Sequence, residues 1–183
     1  GTIDNYGNIF NYNSIINNND GIIYNSGTIA NDGTIANDGT LNNNIDGTLN
    51  NEGTIDNFSI IDNSGTIDNY GNIFNYNSII NNNDGIIYNS GTIANDGTLN
   101  NDGVINNDGT LNNTIDGIIN NEDTINNDGI IINNDILENT GIIDNSGTID
   151  NYGNIFNYNS IINNNDGIIY NSGTIANDGT LNN

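Results

Sequence analysis

Lysine, arginine, histidine, cysteine, methionine, tryptophan and proline are all absent from this 183-residue sequence. Each absence removes a class of function. Without a cation the chain has nothing to set against phosphate, so nucleic-acid binding is not expected. A basic helix lying on a membrane surface is excluded for the same reason. Without histidine or cysteine the usual zinc, haem and iron–sulfur sites cannot be built. Nor can the Ser-His-Asp and Cys-His forms of nucleophilic catalysis. No disulfide forms, which neither requires nor forbids an oxidising compartment. No apolar run approaches the roughly 18–20 residues of a membrane span. What remains as chemistry is carboxylate, hydroxyl and amide. The 23 Asp and Glu residues give a formal net charge of −23.

What is present is a six-residue phrase, G-T-I-x-N-x, first seen at residues 1–6. Numbering its places one to six, the whole chain parses into 29 units, the last short by one residue, with five two-residue insertions. The insertions are Asn19-Asp20, Ile45-Asp46, Asn83-Asp84, Ile115-Asp116 and Asn165-Asp166. Place three is always Ile or Leu, place five is always Asn, and all 23 glycines sit at place one. A second level of repetition lies above the hexads: residues 1–34, 65–98 and 147–180 are identical. No linker or composition shift interrupts the array, so residues 1–183 read as one continuous domain. The chain starts on a repeat boundary without an initiator Met, as expected of a processed protein or an ordered segment of a longer array. An acidic, Asn-rich composition also suits disorder. An aliphatic residue held at one phase through every unit argues for order instead.

The period predicts short strands. Gly every six residues disfavours helix, whereas the T-I and I-I pairs suit a strand. The N-x-G end supplies turn residues tolerant of left-handed backbone. Alternation then points places one, three and five inward and places two, four and six outward. Strands with one narrow apolar edge must stack, so the expected fold is all-β, a single-stranded β-solenoid of about 18 residues per turn. The expected core begins Ile3, Ile9, Ile15, Ile23, Ile29 and Ile35. The expected amide ladder begins Asn5, Asn11, Asn17, Asn25, Asn31 and Asn37, each side chain bonding the turns above and below as in cross-β stacks. Asp123 and Asp135 replace Gly at place one and are expected to mark irregularities. The insertions fall after hexads 3, 7, 13, 18 and 26, which share no one corner of a three-hexad turn.

The small-x-aliphatic spacing, as in G-T-I or N-S-I, resembles the hexapeptide-repeat left-handed β-helix along the whole chain. The constant Asn at place five is not part of that family's usual pattern. The Gly/Asn-rich phrase is also similar in composition to the repeat arrays of adhesin-like archaeal and bacterial surface proteins. These resemblances imply a structural protein of the cell surface or extracellular space: a filament, surface fibre or adhesin stalk that self-associates by strand stacking. Hexapeptide-repeat enzymes rely on His, so no enzyme is expected.

Several outward residues are candidate sites. Asn-Asp-Gly occurs ten times, and Asp32, Asp38, Asp96, Asp102 and Asp108 are candidate calcium ligands on the model of other acidic solenoids; the plain alternative is a solvated turn acid. No other cofactor is expected. The alternative function is a binding solenoid, ice-binding on the strength of outward Thr, as at Thr28 and Thr34, or a calcium-dependent adhesin on the strength of these acids, with an acidic DNA mimic as a further rival. Tyr6, Phe10, Tyr12 and Tyr24 are candidate surface contacts, either between rods or with a surface glycan.

Overall fold

The computed structural model describes residues 1–17, 21–164 and 166–182. The insertions Asn19-Asp20 and Asn165, and the last ladder position Asn183, lie outside the described residues. Every regular element described is a strand, from Thr2–Asn5 to Thr180–Asn182. Each strand pairs in parallel with strands one turn away. Thr2–Asn5 lies beside Ile22–Asn25, which lies beside Thr40–Asn43. Asn8–Asn11 begins a second such stack and Ser14–Asn17 a third. The chain is therefore a three-sided parallel β-solenoid, with the sides numbered here in that order. One side is a ten-stranded sheet, and the other two are joined into a 17-stranded sheet because Asn72–Asn82 and Thr92–Asn101 each run round a corner. At ~4.8 Å per stacked strand, nine to ten turns make a rod roughly 45 Å long.

Burial follows the alternation. In strands such as Thr34–Asn37 places three and five are buried and places two and four half-exposed. Ile23, Ile29 and Ile35 are buried, as are their successors through Ile161. Ile9 and Ile15 are partly buried, and Ile3 is 46% exposed. All three point inward, but in the first turn each has a neighbour on one side of the stack alone. In a core this narrow the apolar stack is one residue wide per side, so its packing depends on register.

The asparagines of place five form three ladders along the axis. On the first side the Asn5 amide donates to Asn25 Oδ1 at 2.7 Å, Asn25 to Asn43 at 2.8 Å and Asn43 to Asn63 at 2.8 Å. Asn11 to Asn31 and Asn17 to Asn37 start the other two, at 2.6 and 2.7 Å. The second proton of each amide goes to backbone, as in Asn17 to the Thr40 carbonyl at 3.0 Å. Among the described residues no buried side-chain polar atom lacks a hydrogen-bond partner. All the ladder bonds run from one turn to the next in the same direction, so the rod is polar.

Three expectations are corrected. First, the left-handed backbone that the N-x-G end could adopt is not used by glycine: no described glycine has positive φ. Glycine is there for close approach, since a Cβ on Gly109 would overlap the Gly91 carbonyl oxygen one turn below. Second, Asp123 and Asp135 cause no irregularity. The strands that follow them, Thr124–Asn127 and Ile136–Asn139, pair in full register on both sides.

Third, the true irregularity is at 77–84. There Ile80 and Asn82, not Ile79 and Asn81, occupy the buried places, and Ile79 is 39% exposed. Asn77 and Asp84 take positive φ, 47° and 56°, one at each end of the shifted segment. The same sequence at 13–17 and 159–164 keeps the expected phase, with Ile161 buried and Asn163 in the ladder. The phrase N-S-I-I-N-N-N-D carries two adjacent isoleucines and three adjacent asparagines, so both phases fill core and ladder.

Among the described residues the insertions are corner turns, and each of the three corners takes one. Ile45-Asp46 joins the first side to the second and Ile115-Asp116 the third to the first. In each, the glycine N–H closes a four-residue turn, Gly47 onto the Asn44 carbonyl at 2.7 Å and Gly117 onto Thr114 at 3.1 Å. The inserted isoleucines project into solvent. Ladder partners are therefore 18 residues apart where no insertion intervenes and 20 where one does, as in Asn25 to Asn43 and Asn43 to Asn63. The slipped segment gives 19.

The identical blocks 1–34, 65–98 and 147–180 consequently start on different sides. Thr2–Asn5 is on the first, Thr66–Asn69 on the second and Thr148–Asn151 on the third.

Candidate functional site

With places one, three and five used up by the interior, whatever the rod meets it meets through places two, four and six. Places two and four stand in two columns on each flat side, and place six lies at the corners. The place-two column is mostly β-branched. Its threonines stack in short runs: Thr28, Thr48 and Thr66 follow one another on the second side, and then Ile86 and Val104 take over. Of the surface-contact candidates, Tyr6, Phe10 and Tyr12 are strongly exposed and Tyr24 less so. The structure brings Phe10 and Tyr12 together, ring centroids 6.5 Å apart and nearly parallel. Tyr24 stands on the first side and Tyr6 at the corner before the second, so the four wrap the rod rather than form one patch.

The calcium candidates Asp32, Asp38, Asp96, Asp102 and Asp108 all lie at place six, distributed over the three corners. Asp38 and Asp96 share a corner but are three turns apart, about 14 Å at the strand spacing. Among the described residues no group of three or more acids is placed to hold a metal ion.

Two outward arrangements escaped the sequence reading. One is an outer amide ladder in the place-four column of the first side. Asn120 donates to Asn100 at 2.8 Å, Asn100 to Asn81 at 2.9 Å, and Asn81 to an Asp62 carboxylate oxygen at 2.7 Å. It runs against the inner ladders and ends on a charge, so its aligned amide dipoles point their donors at the carboxylate. Asn at place four of neighbouring turns was the available signal. Asn81 hid it by reading as place five.

The second is an aromatic cluster on the third side. Phe58 and Tyr76 stack one turn apart, centroids 5.0 Å and planes within 14°. Phe74 lies 5.9 Å from Tyr76 at 25°. In the register Asp56 faces Phe74, and Tyr76 faces Asp96. Burial, and then the charges of Asp56 and Asp96, push the Tyr76 phenol above its ordinary value.

Burial also raises Asp56 and Asp68 above the ordinary carboxylate value. The sign follows from linkage. A carboxyl whose value is raised by folding binds more protons in the folded chain than in the unfolded one between the two values. The penalty is absent below the ordinary value, about 3.9, and complete above the raised one. Relief of like-charge repulsion acts in the same direction. Thermal melts followed by circular dichroism should therefore show a higher Tm near pH ~4 than at pH ~7. The double change Asp56→Asn with Asp68→Asn should flatten part of that rise. A Tm that falls on acidification would contradict the assignment.

No protein-family model, curated protein or solved structure matches this chain.

Proposed function

We propose that the chain is a structural segment of an extracellular or cell-surface fibre, a filament, surface fibre or adhesin stalk extended by stacking turn upon turn. The observation that carries this reading is the common direction of the three inner ladders. In the first turn Asn5, Asn11 and Asn17 donate onward, with no ladder amide before them among the described residues. At the other end Asn171 and Asn177 accept from the turn before, and their donors reach the carbonyls of Gly173 and Gly179. A further turn, of the same chain or of a second copy, extends all three ladders, the Ile/Leu stack and the parallel sheets with bonds of the same kind. Head-to-tail addition fits, whereas joining two first turns sets acceptor against acceptor and joining two last turns sets donor against donor. The likeness to hexapeptide-repeat β-helices and to adhesin-like surface arrays belongs to the same proposal. No catalytic activity and no cofactor are part of it; calcium enters as a counterion that screens the acidic surface.

Electron microscopy of the 183-residue chain with light scattering over a concentration series tests the reading. Rods about 45 Å long at high dilution should lengthen in whole multiples as concentration rises. Isolated single rods at all concentrations would remove end-to-end assembly from the proposal.

A further inference from the structure

We propose that the cluster of Phe58, Phe74 and Tyr76, bounded by Asp56 and Asp96, is a docking site for an arginine side chain on a basic segment of a partner protein. The register makes the site a small grid. The place-four column reads Asp56, Phe74, Ala94 through three successive turns. The place-six column reads Phe58, Tyr76, Asp96 through the same turns. Phe74 and Tyr76 therefore fill the middle row and Phe58 one corner, an acid stands at each of two opposite corners, and the small Ala94 takes the fourth corner, next to Phe74. Phe58 is 50% exposed and Tyr76 39%. The Thr114 hydroxyl donates to an Asp96 carboxylate oxygen at 2.8 Å and orients it.

Charge selects the occupant. No Lys, Arg or His side chain exists anywhere in the chain to pair with Asp56 or Asp96. A second copy would bring only more negative charge, and an anionic polymer the same. A guanidinium is planar, stacks on aromatic faces and donates in a fork to carboxylates. An ammonium satisfies the charge but lacks the plane. The site therefore distinguishes arginine from lysine, which a diffuse polyanion does not.

The chain contains its own control. In the third block Phe156 and Tyr158 repeat Phe74 and Tyr76, and Glu138 faces Phe156 as Asp56 faces Phe74. The place corresponding to Phe58 is there Thr140. Acids and two rings are thus present twice, and the third ring once.

The test is titration of the 183-residue chain at physiological salt with an arginine-rich peptide and with a lysine-rich peptide of equal length and charge. The arginine peptide should bind more tightly. Phe58→Thr, which installs the residue of the third block, should weaken it by about fivefold or more and leave the lysine peptide unchanged. Asp96→Asn should reduce the arginine preference as well, and circular dichroism checks that both variants keep the fold. Equal affinity for the two peptides, unaltered by Phe58→Thr, would overturn the proposal in favour of plain polyanion attraction. Displacement of neither peptide but binding of a neutral oligosaccharide, lost in Phe58→Thr, would overturn it in favour of a glycan platform. Neither outcome touches end-to-end assembly, which the concentration series reads separately.

Discussion

Asn95→Ala is expected to destabilise the rod by about 3 kcal/mol or more, since each buried polar group left unpaired costs ~1–3 kcal/mol. Asn95 is fully buried in the third-side ladder. Its oxygen accepts from Asn75 at 2.8 Å, and its amide donates to Asn113 Oδ1 at 2.9 Å and to the carbonyls of Ile118 and Gly97 at 2.9 and 3.0 Å. Alanine fills none of these roles and leaves a dry gap that water would have to enter. Asn95→Asp should cost more, because a carboxylate cannot donate and adds a buried charge to an interior with no cation. The comparison is Asn126→Ala on the outer surface. There one half-exposed bond to Asn106 is lost, and solvent replaces it at a cost within about 0.5 kcal/mol. Because repeat arrays depart from all-or-none unfolding, the measurement should be hydrogen exchange of the flanking turns alongside denaturant midpoints. Similar small costs for Asn95 and Asn126 would mean that the ladder is decoration on an apolar stack.

Ile80→Ala is expected to cost about 2–5 kcal/mol, the usual range for emptying a packed aliphatic site. Its neighbour Ile79→Ala should cost no more than about 0.5 kcal/mol. In the third block the same sequence should show the opposite ordering by position: Ile161→Ala costly and Ile162→Ala nearly silent. Ile161 is buried and pairs with Leu181. Ile80 is buried and pairs with Ile61 and Leu99. The four single variants, compared by denaturant midpoint, read out phase directly. If Ile79 rather than Ile80 proves costly, the slip does not occur. A cost for Ile80→Ala well under the range would mean that the segment slides back by one residue and buries Ile79 instead.

That slip marks where the sequence stops being a sufficient guide. Place three and place five were legible because burial allows almost nothing else there: Ile or Leu for the stack, Asn for a ladder needing donor and acceptor on one short side chain. The fold followed from those two columns. At 77–84 the same rule has two solutions, and single-residue spacing decides nothing between Ile79 with Asn81 and Ile80 with Asn82. Asp123 and Asp135 looked disruptive because they replace Gly at place one. The strands after both acids nevertheless keep their pairing, so glycine's close approach to the turn below is not required at those two positions.

The outward sites were less legible for a geometric reason. Which place-four and place-six residues become neighbours depends on whether the next turn is 18, 19 or 20 residues away. Phe58 and Tyr76 meet across 18 residues, Tyr76 and Asp96 across 20. The period alone placed all four aromatics of residues 1–24 outside, correctly, but could not say that Phe10 and Tyr12 would touch while Tyr6 and Tyr24 stood on other parts of the rod.

The interchangeability of the three sides has a consequence for how such a chain grows. Because any hexad fits on any side and any corner accepts an insertion, a duplication need not contain whole turns to leave the interior intact; a whole number of thirds is enough. The starts at residues 1, 65 and 147 are separated by ten and thirteen hexads, neither a multiple of three. Each duplication therefore both lengthened the rod and rotated its cargo of aromatic residues by a third of a circle. Copying along one dimension has painted the surface around another, and a rod built this way becomes adhesive or inert in all directions together.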